Sequence, residues 1–149
     1  RSFGLALKIP VSGVSTLTAY AAPLIAAGSR TSIAAAVDAR HGSVFFHAYW
    51  LDGRTSFGPA LVTAEEAARR LAGNSAPPRV VGNGAALVAA AAGELGIATA
   101  LQAIEPAPDI VWVARLGAAA DPQFAPARPL YLRAASAVAQ TGGRIARQG

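Results

Sequence analysis

With 149 residues the chain is long enough for one domain with a hydrophobic core or for two small lobes, and not for more. A hydrophobic content of 53%, a charged content of 14% and a mean hydropathy of +0.38 exclude disorder over most of its length. The absence of cysteine excludes disulfides and thiolate metal sites, whereas the net charge of +5 permits contact with nucleic acid or an acidic partner.

The first segment, RSFGLALKIP, is typical of a helix that has already begun, because apolar residues come at once and no capping residue precedes them. We therefore expect a fragment that lacks its N-terminal part. Pro10 ends this helix, and VSGV is predicted to form a short buried strand. Ser15 is predicted to cap a helix through about Ala27, and its inward face to carry Leu17, Tyr20, Ala21 and Leu24.

Three segments rich in β-branched and aromatic residues follow: TSIAAAVDA, SVFFHAYWLD and TSFGPALVT. RHG separates the first two, and Asp52-Gly53 before the third is a strong hairpin signal. The segments therefore predict an antiparallel meander. Alternation puts Phe45, His47 and Tyr49 on one face of the second strand and Phe46 and Trp50 on the other. We expect these aromatic residues to pack in the core rather than to form an RNA-stacking platform.

Helices and strands alternate in the second half of the chain. The Thr63–Glu66 capping box opens a helix that Gly73 ends, and RVVG is a strand. NGAALVAAAAGEL is predicted to be a helix, IATAL a strand and PAPDIVWVARLGAAA a helix, followed by a short extended segment in FAPARPLYLRA and a mobile tail. Because right-handed crossovers make the later strands parallel, the order predicts an α/β, ribonuclease-H-like fold with a mixed five-stranded sheet and flanking helices.

Two predicted turns contain the candidate residues for catalysis or phosphate binding. DARHG places Asp38, Arg40 and His41 between the first two strands, either as catalytic apparatus or as the polar tip of a hairpin. Gly82-Asn83-Gly84 lies between a strand and a helix, either as a phosphate cradle or as a tight turn. It lacks the third glycine of a dinucleotide fingerprint and the lysine of a P-loop, and no Gly-x-Ser-x-Gly elbow is present. We therefore expect no catalytic triad. We also expect no metal site, because Asp38 is the only acid predicted at the end of a buried strand.

Four segments in this order resemble the TsaB (YeaZ) family: LALKIPVSGVSTLTAYA, AAVDARHGSVFFHAYW, VVGNGA and PARPLYLRAASA. The resemblance runs from about Leu5 to Ala137 and implies a lobe of the actin, sugar-kinase and chaperone-ATPase superfamily, in which two ribonuclease-H-like lobes make the whole protein. Residues 1–29 would then be a remnant of the first lobe with a connecting strand and helix. Residues 30–137 would be the second lobe, and residues 138–149 a flexible basic tail.

The resemblance implies a non-catalytic, cytoplasmic scaffold for tRNA modification, the formation of threonylcarbamoyladenosine beside the anticodon. It implies a TsaD-like catalytic subunit and a TsaE-like ATPase as partners, tRNA as an indirect one, and no cofactor or membrane; a homodimer is a further expectation. Older labels call such proteins glycoproteases, but the sequence offers no protease residues.

In ATPase relatives of this fold the first hairpin of a lobe grips phosphate. Asp38 and Arg40, with Gly82 and Gly84, are therefore relic phosphate-site candidates. Two alternatives remain: a sugar-kinase-like ATPase lobe, active or degenerate, and a basic module that contacts tRNA through Arg128, Arg133, Arg144 and Arg147.

Overall fold

The computed structural model describes residues 2–102 and 105–132. The helices and strands in these ranges are α1 (Ser2–Leu7), α2 (Thr16–Ala26), β1 (Ile33–Asp38), β2 (Ser43–Tyr49), β3 (Thr55–Thr63), α3 (Ala64–Arg69), β4 (Arg79–Val81), α4 (Ala85–Glu94), β5 (Ala100–Leu101) and α5 (Ile110–Ala119). Among them no helix is long and apolar enough to cross a membrane.

The strands form one mixed sheet in the order β3-β2-β1-β4-β5. β2 is antiparallel to both β1 and β3, whereas β4 is parallel to both β1 and β5. The predicted fold class is therefore confirmed: an antiparallel meander feeds a parallel half, and helices flank the sheet. The Asp52-Gly53 hairpin is confirmed as well, with Gly53 at a positive φ of 79°.

One face of the sheet is covered by α3 and α4. Its buried cluster is apolar and includes Val44, Phe46, Leu71, Val80 and Val88. Half of the predicted capping box is confirmed, because the Thr63 hydroxyl accepts a hydrogen bond from the Glu66 N–H at 3.1 Å and starts α3 there. The Glu66 carboxylate, which would complete the box, is bound to Arg70 instead. Regular helix stops at Arg69 rather than near Gly73, because the chain continues in tight turns through that glycine.

The other face is covered by α2, against which α5 packs. The predicted inward face of α2 is confirmed, because its buried cluster contains Leu17, Tyr20, Ala21 and Leu24 together with Ile33, Ala35, Tyr49 and Val81. Gly28, with φ of 68°, ends α2, and the Ser29 N–H reaches back to the Leu24 carbonyl at 3.1 Å. No residue of α5 is buried, so this face is less fully covered than the first.

Three predicted strand segments differ in the structure. VSGV is not a buried strand: its backbone meets a segment more than a hundred residues later, through a bridge from Ser12 to Pro126 and a 2.8 Å hydrogen bond from the Gly13 N–H to the Ala125 carbonyl. In IATAL only Ala100–Leu101 pairs with the sheet. Within residues 122–132 that bridge at Pro126 is the only strand-like pairing, and residues 133–149, including the predicted tail, lie outside the described residues.

Candidate functional site

DARHG is the tip of the hairpin that joins β1 to β2. The Asp38 carboxylate accepts a hydrogen bond from the Arg40 N–H at 2.7 Å, which closes the turn on itself. Arg40, His41 and Gly42 follow with φ values of 67°, 53° and 71°, a left-handed run that brings the chain back for Ser43 to begin β2. The side chains of Asp38, Arg40 and His41 are exposed.

The Gly82-Asn83-Gly84 turn lies directly against the end of β1. The Gly84 N–H donates to the Ala36 carbonyl at 3.0 Å, and the Asn83 side-chain oxygen accepts from the Asp38 N–H at 3.0 Å. The structure therefore brings together the two turns that the sequence singled out. They meet where the carboxyl ends of β1 and β4 lie side by side.

Close backbone contact explains both glycines of this turn. A Cβ on Gly82 would collide with the Ala36 carbonyl oxygen, and Gly82 has a φ of 98° that side-chain-bearing residues rarely adopt. A Cβ on Gly84 would lie 2.8 Å from the Asp38 nitrogen. Two amide groups of the turn already donate inside the protein, Gly84 to Ala36 and Ala85 to the Gly82 carbonyl at 3.0 Å. The turn thus joins α4 to β1 by backbone contacts.

A groove of about 510 Å³ lies next to the hairpin, on the α2 side of the sheet. Its walls are mostly apolar and include Val14, Leu17, Val37, Phe45 and Leu130. Arg128 lines this groove and also a neighbouring one of about 520 Å³ near Lys8 and Pro10. Of the predicted basic cluster, Arg128 lies in the described part, whereas Arg133, Arg144 and Arg147 lie outside it.

Exposed apolar side chains gather around these two grooves. They come from two segments that run together off the sheet, residues 7–14 and 122–132. The side chains of Phe124 and Tyr131 are 86% and 84% exposed, and the others are Leu7, Ile9, Val11 and Leu130. We call this region the apolar surface. Surfaces of this kind on soluble proteins mark sites of protein or ligand contact.

Sequence reasoning missed a network of four polar side chains, which we call the polar chain: Thr18, His47, Tyr49 and Thr55. The two ring nitrogens of His47 lie 2.7 Å from the Tyr49 hydroxyl and 3.0 Å from the Thr55 hydroxyl. The Tyr49 oxygen lies 3.1 Å from the Thr18 hydroxyl on α2. Burial lowers the pKa of His47 and raises the pKa of Tyr49. The signal was the i, i+2 spacing of His47 and Tyr49, which puts both on the α2 side of β2.

The fold defines a class of α/β proteins in which a mixed five-stranded sheet is flanked by helices. No family model matches the chain, and no curated protein matches its sequence. Among solved structures the chain resembles the crystal structure of an uncharacterized protein with similarity to peptidase YeaZ from Pseudomonas aeruginosa, with a TM-score of 0.61 and 22% identity. The match covers 89% of this chain and 63% of that one, so the chain spans less than two thirds of the neighbour's length. The likeness shows a YeaZ-like fold.

Proposed function

We propose that the chain is the second lobe of a TsaB-like scaffold. Together with a first lobe, it would stabilise and activate a TsaD-like catalytic subunit, alongside a TsaE-like ATPase, in threonylcarbamoyl transfer to tRNA in the cytoplasm. The YeaZ-like fold and the order of the four sequence motifs support this proposal.

The use of backbone amides at the two turns carries the proposal. A phosphate-gripping hairpin needs N–H groups that point at the ligand. Here the amides of Ala39, Arg40 and Ser43 donate to Ser43, Asp38 and Arg40 within the same turn. The amides of Gly84 and Ala85 are likewise engaged inside the protein. Four of these five amides donate to backbone carbonyls and that of Arg40 donates to the Asp38 carboxylate, an arrangement that supports a scaffold better than an ATPase lobe.

The polar chain and the apolar surface support the same proposal. His47 is buried, and its ring nitrogens contact the Tyr49 and Thr55 hydroxyls rather than a serine and a carboxylate, so it is not arranged as the base of a serine triad and we propose no peptidase activity. The apolar surface offers area for protein contact, with the first lobe, a TsaD-like subunit or a second copy of the protein.

Reconstitution tests the proposal. Threonylcarbamoyl transfer from its adenylate to tRNA would be measured with TsaD-like and TsaE-like partners, with and without the full-length protein that carries this lobe. We expect product only when the full-length protein is present, together with co-purification of the TsaD-like subunit. Transfer at an undiminished rate without it would refute the scaffold role.

Nucleotide binding distinguishes the scaffold proposal from the ATPase alternative. In the full-length protein, Asp38→Ala should leave any nucleotide affinity unchanged, since the Asp38 carboxylate serves its own turn. Loss of a measured nucleotide affinity with stability unchanged would favour the ATPase lobe instead.

The salt dependence of tRNA binding distinguishes the scaffold proposal from the tRNA-contacting alternative. If the chain contacts tRNA directly, its affinity for tRNA should fall steeply as salt is added. Deleting the residues after Ala137 should remove this salt dependence, and Arg128→Ala tests the same contact in the described part of the chain. The scaffold proposal expects neither effect from the lobe alone.

A further inference from the structure

His47 lies on the second strand from one edge of the sheet and faces the side covered by α2. It lies in β2, between β1 and β3, and is 7% exposed. Through Tyr49 the imidazole is connected to Thr18 in the first turns of α2, and through its other nitrogen to Thr55 of β3. One hydrogen-bonded network therefore joins α2 to two strands.

The direction of this network depends on the protonation of His47. A neutral imidazole has one donor and one acceptor nitrogen. With Nε2–H donating to Thr55 and Nδ1 accepting from the Tyr49 hydroxyl, Thr18 donates to Tyr49 and each polar group of the chain has a partner. A second proton on the ring makes Nδ1 a donor. Tyr49 must then accept from His47 and turn its own proton towards Thr18.

Nothing in the described surroundings balances the charge that this proton brings. The titratable groups on this face are Tyr20 of α2 and Tyr49 itself, both neutral below about pH 10. Four charged groups of the described residues lie on or beside the packed elements. Asp38, exposed at the end of β1, accepts from the Arg40 N–H, and Arg79 of β4 is hydrogen-bonded to Gln102. Arg115 of α5 lies over the Trp112 ring, and the Glu105 carboxylate acts on Tyr20. The β2–β3 hairpin holds an exposed Asp52–Arg54 pair. Among the described residues no carboxylate contacts the imidazole.

Of the elements around His47, α2 is the one that can open. The imidazole is carried by β2, which pairs with β1 without interruption from Val44 to Tyr49, whereas the pairing of β2 with β3 shifts register at His47. The β1–β2 pair therefore holds the imidazole in place when α2 opens. The Ser15 side chain makes no capping hydrogen bond to α2, and Pro23 within the helix lacks an N–H to donate.

We propose that the polar chain is an acid-sensitive latch: a proton on His47 releases α2 from the sheet while β1 and β2 stay paired. Release of α2 also changes the groove beside the DARHG hairpin, because Thr16 and Leu17 of this helix line it. The latch thereby couples acidity to the shape of the surface next to the hairpin.

The burial of His47 decides whether acid stabilises or destabilises the closed position of α2. The pKa of His47 in the folded state lies below the ordinary value of 6.5, so the folded state binds fewer protons than the opened one. The stabilisation is complete above about pH 6.5 and is lost as the pH falls from there towards the lowered value.

Amide hydrogen exchange of the whole chain between about pH 5 and 8, corrected for intrinsic exchange rates, tests the latch. Below about pH 6.5 we expect protection of residues 16–26 to fall by up to tenfold per pH unit, the limit for uptake of one proton, while residues 33–49 stay protected. His47→Gln should remove this pH dependence. The matched control His41→Gln, at the exposed hairpin tip, should keep it.

A second variant keeps the test decisive if His47→Gln fails to fold. Thr18→Val disconnects α2 from the polar chain without altering the histidine. We expect low protection of α2 already at neutral pH and little further loss in acid. Three outcomes would each overturn the proposal. They are equal acid sensitivity in His47→Gln and the parent protein, a pH dependence of α2 protection that Thr18→Val leaves unchanged, and a simultaneous loss of protection in β1 and α2.

Discussion

The two faces of the sheet are built on different principles. The face under α3 and α4 has an apolar core, with Phe46, Val44 and Val80 fully buried. The face under α2 mixes apolar residues with the polar chain, and its outer helix α5 buries no side chain. The first face thus supplies a dry core, whereas the second carries the groove, the hydrogen-bonded network and the exposed apolar residues. Stability and interaction are separated across one sheet.

The largest expected effect comes from a substitution in the apolar core under α3 and α4. Phe46 is fully buried and packs near Phe57, with ring centroids 6.1 Å apart. Phe46→Ala should lower the free energy of unfolding by about 3–5 kcal/mol, because it leaves a cavity in a closed core. Urea unfolding would measure it. The neighbouring Phe45→Ala is the control on the other face, where Phe45 is half-buried beside the groove, and its loss should be clearly smaller. Equal losses would contradict the contrast between the faces.

An intermediate effect on the free energy of unfolding is expected at the turn between β4 and α4, where the apolar core meets the candidate site. Gly82→Ala should cost about 1–3 kcal/mol in unfolding free energy, because the new methyl group would strike β1 at a positive φ. Gly93→Ala in α4 has open space around it and should stabilise the protein by about 0.5–1 kcal/mol. Thermal or urea unfolding of both variants would compare them. A destabilised Gly93→Ala with an unaffected Gly82→Ala would show that close backbone contact does not govern this turn.

The smallest expected effect compares the helix caps of the two faces. Thr63→Ala removes the hydrogen bond to the Glu66 N–H at the start of α3 and should cost about 1 kcal/mol. Ser15→Ala, at the start of α2, removes no capping hydrogen bond and should change the free energy of unfolding by less than about 0.5 kcal/mol. Chemical denaturation resolves such a difference. A larger cost at Ser15 than at Thr63 would mean that α2 is capped by contacts other than those described.

Local signals made most of the fold predictable. Asp52-Gly53, the Thr63 cap of α3 and the alternation of β2 from Phe45 to Tyr49 each act within a few residues, and all three are confirmed. VSGV was predicted wrongly because its partner, Pro126, lies far along the chain and no local pattern encodes that pairing. Trp50 was expected in the core and is 52% exposed, because β2 ends one residue earlier and Trp50 already belongs to the turn.

The candidate site was predictable in its parts but not in its assembly. DARHG and Gly82-Asn83-Gly84 were both identified as turns, yet nothing in either segment indicates that the Asn83 side chain would bind the Asp38 amide. That contact depends on β4 lying parallel to β1, a tertiary arrangement. For the same reason Thr18, on another element, could not be connected to His47 in advance.

The edge strand β3 has a consequence for how the protein behaves at high concentration. Its pairing with β2 shifts register between Ala60 and Phe57 and again between Phe57 and Thr55, and Pro59 has no N–H to offer a neighbouring chain. The opposite edge, β5, is only two residues long. Among the described strands, neither border is a straight template on which another molecule's strand could add along its length. The sheet is therefore protected against the edge-to-edge growth that leads to fibrils, even though the protein leaves apolar side chains exposed elsewhere.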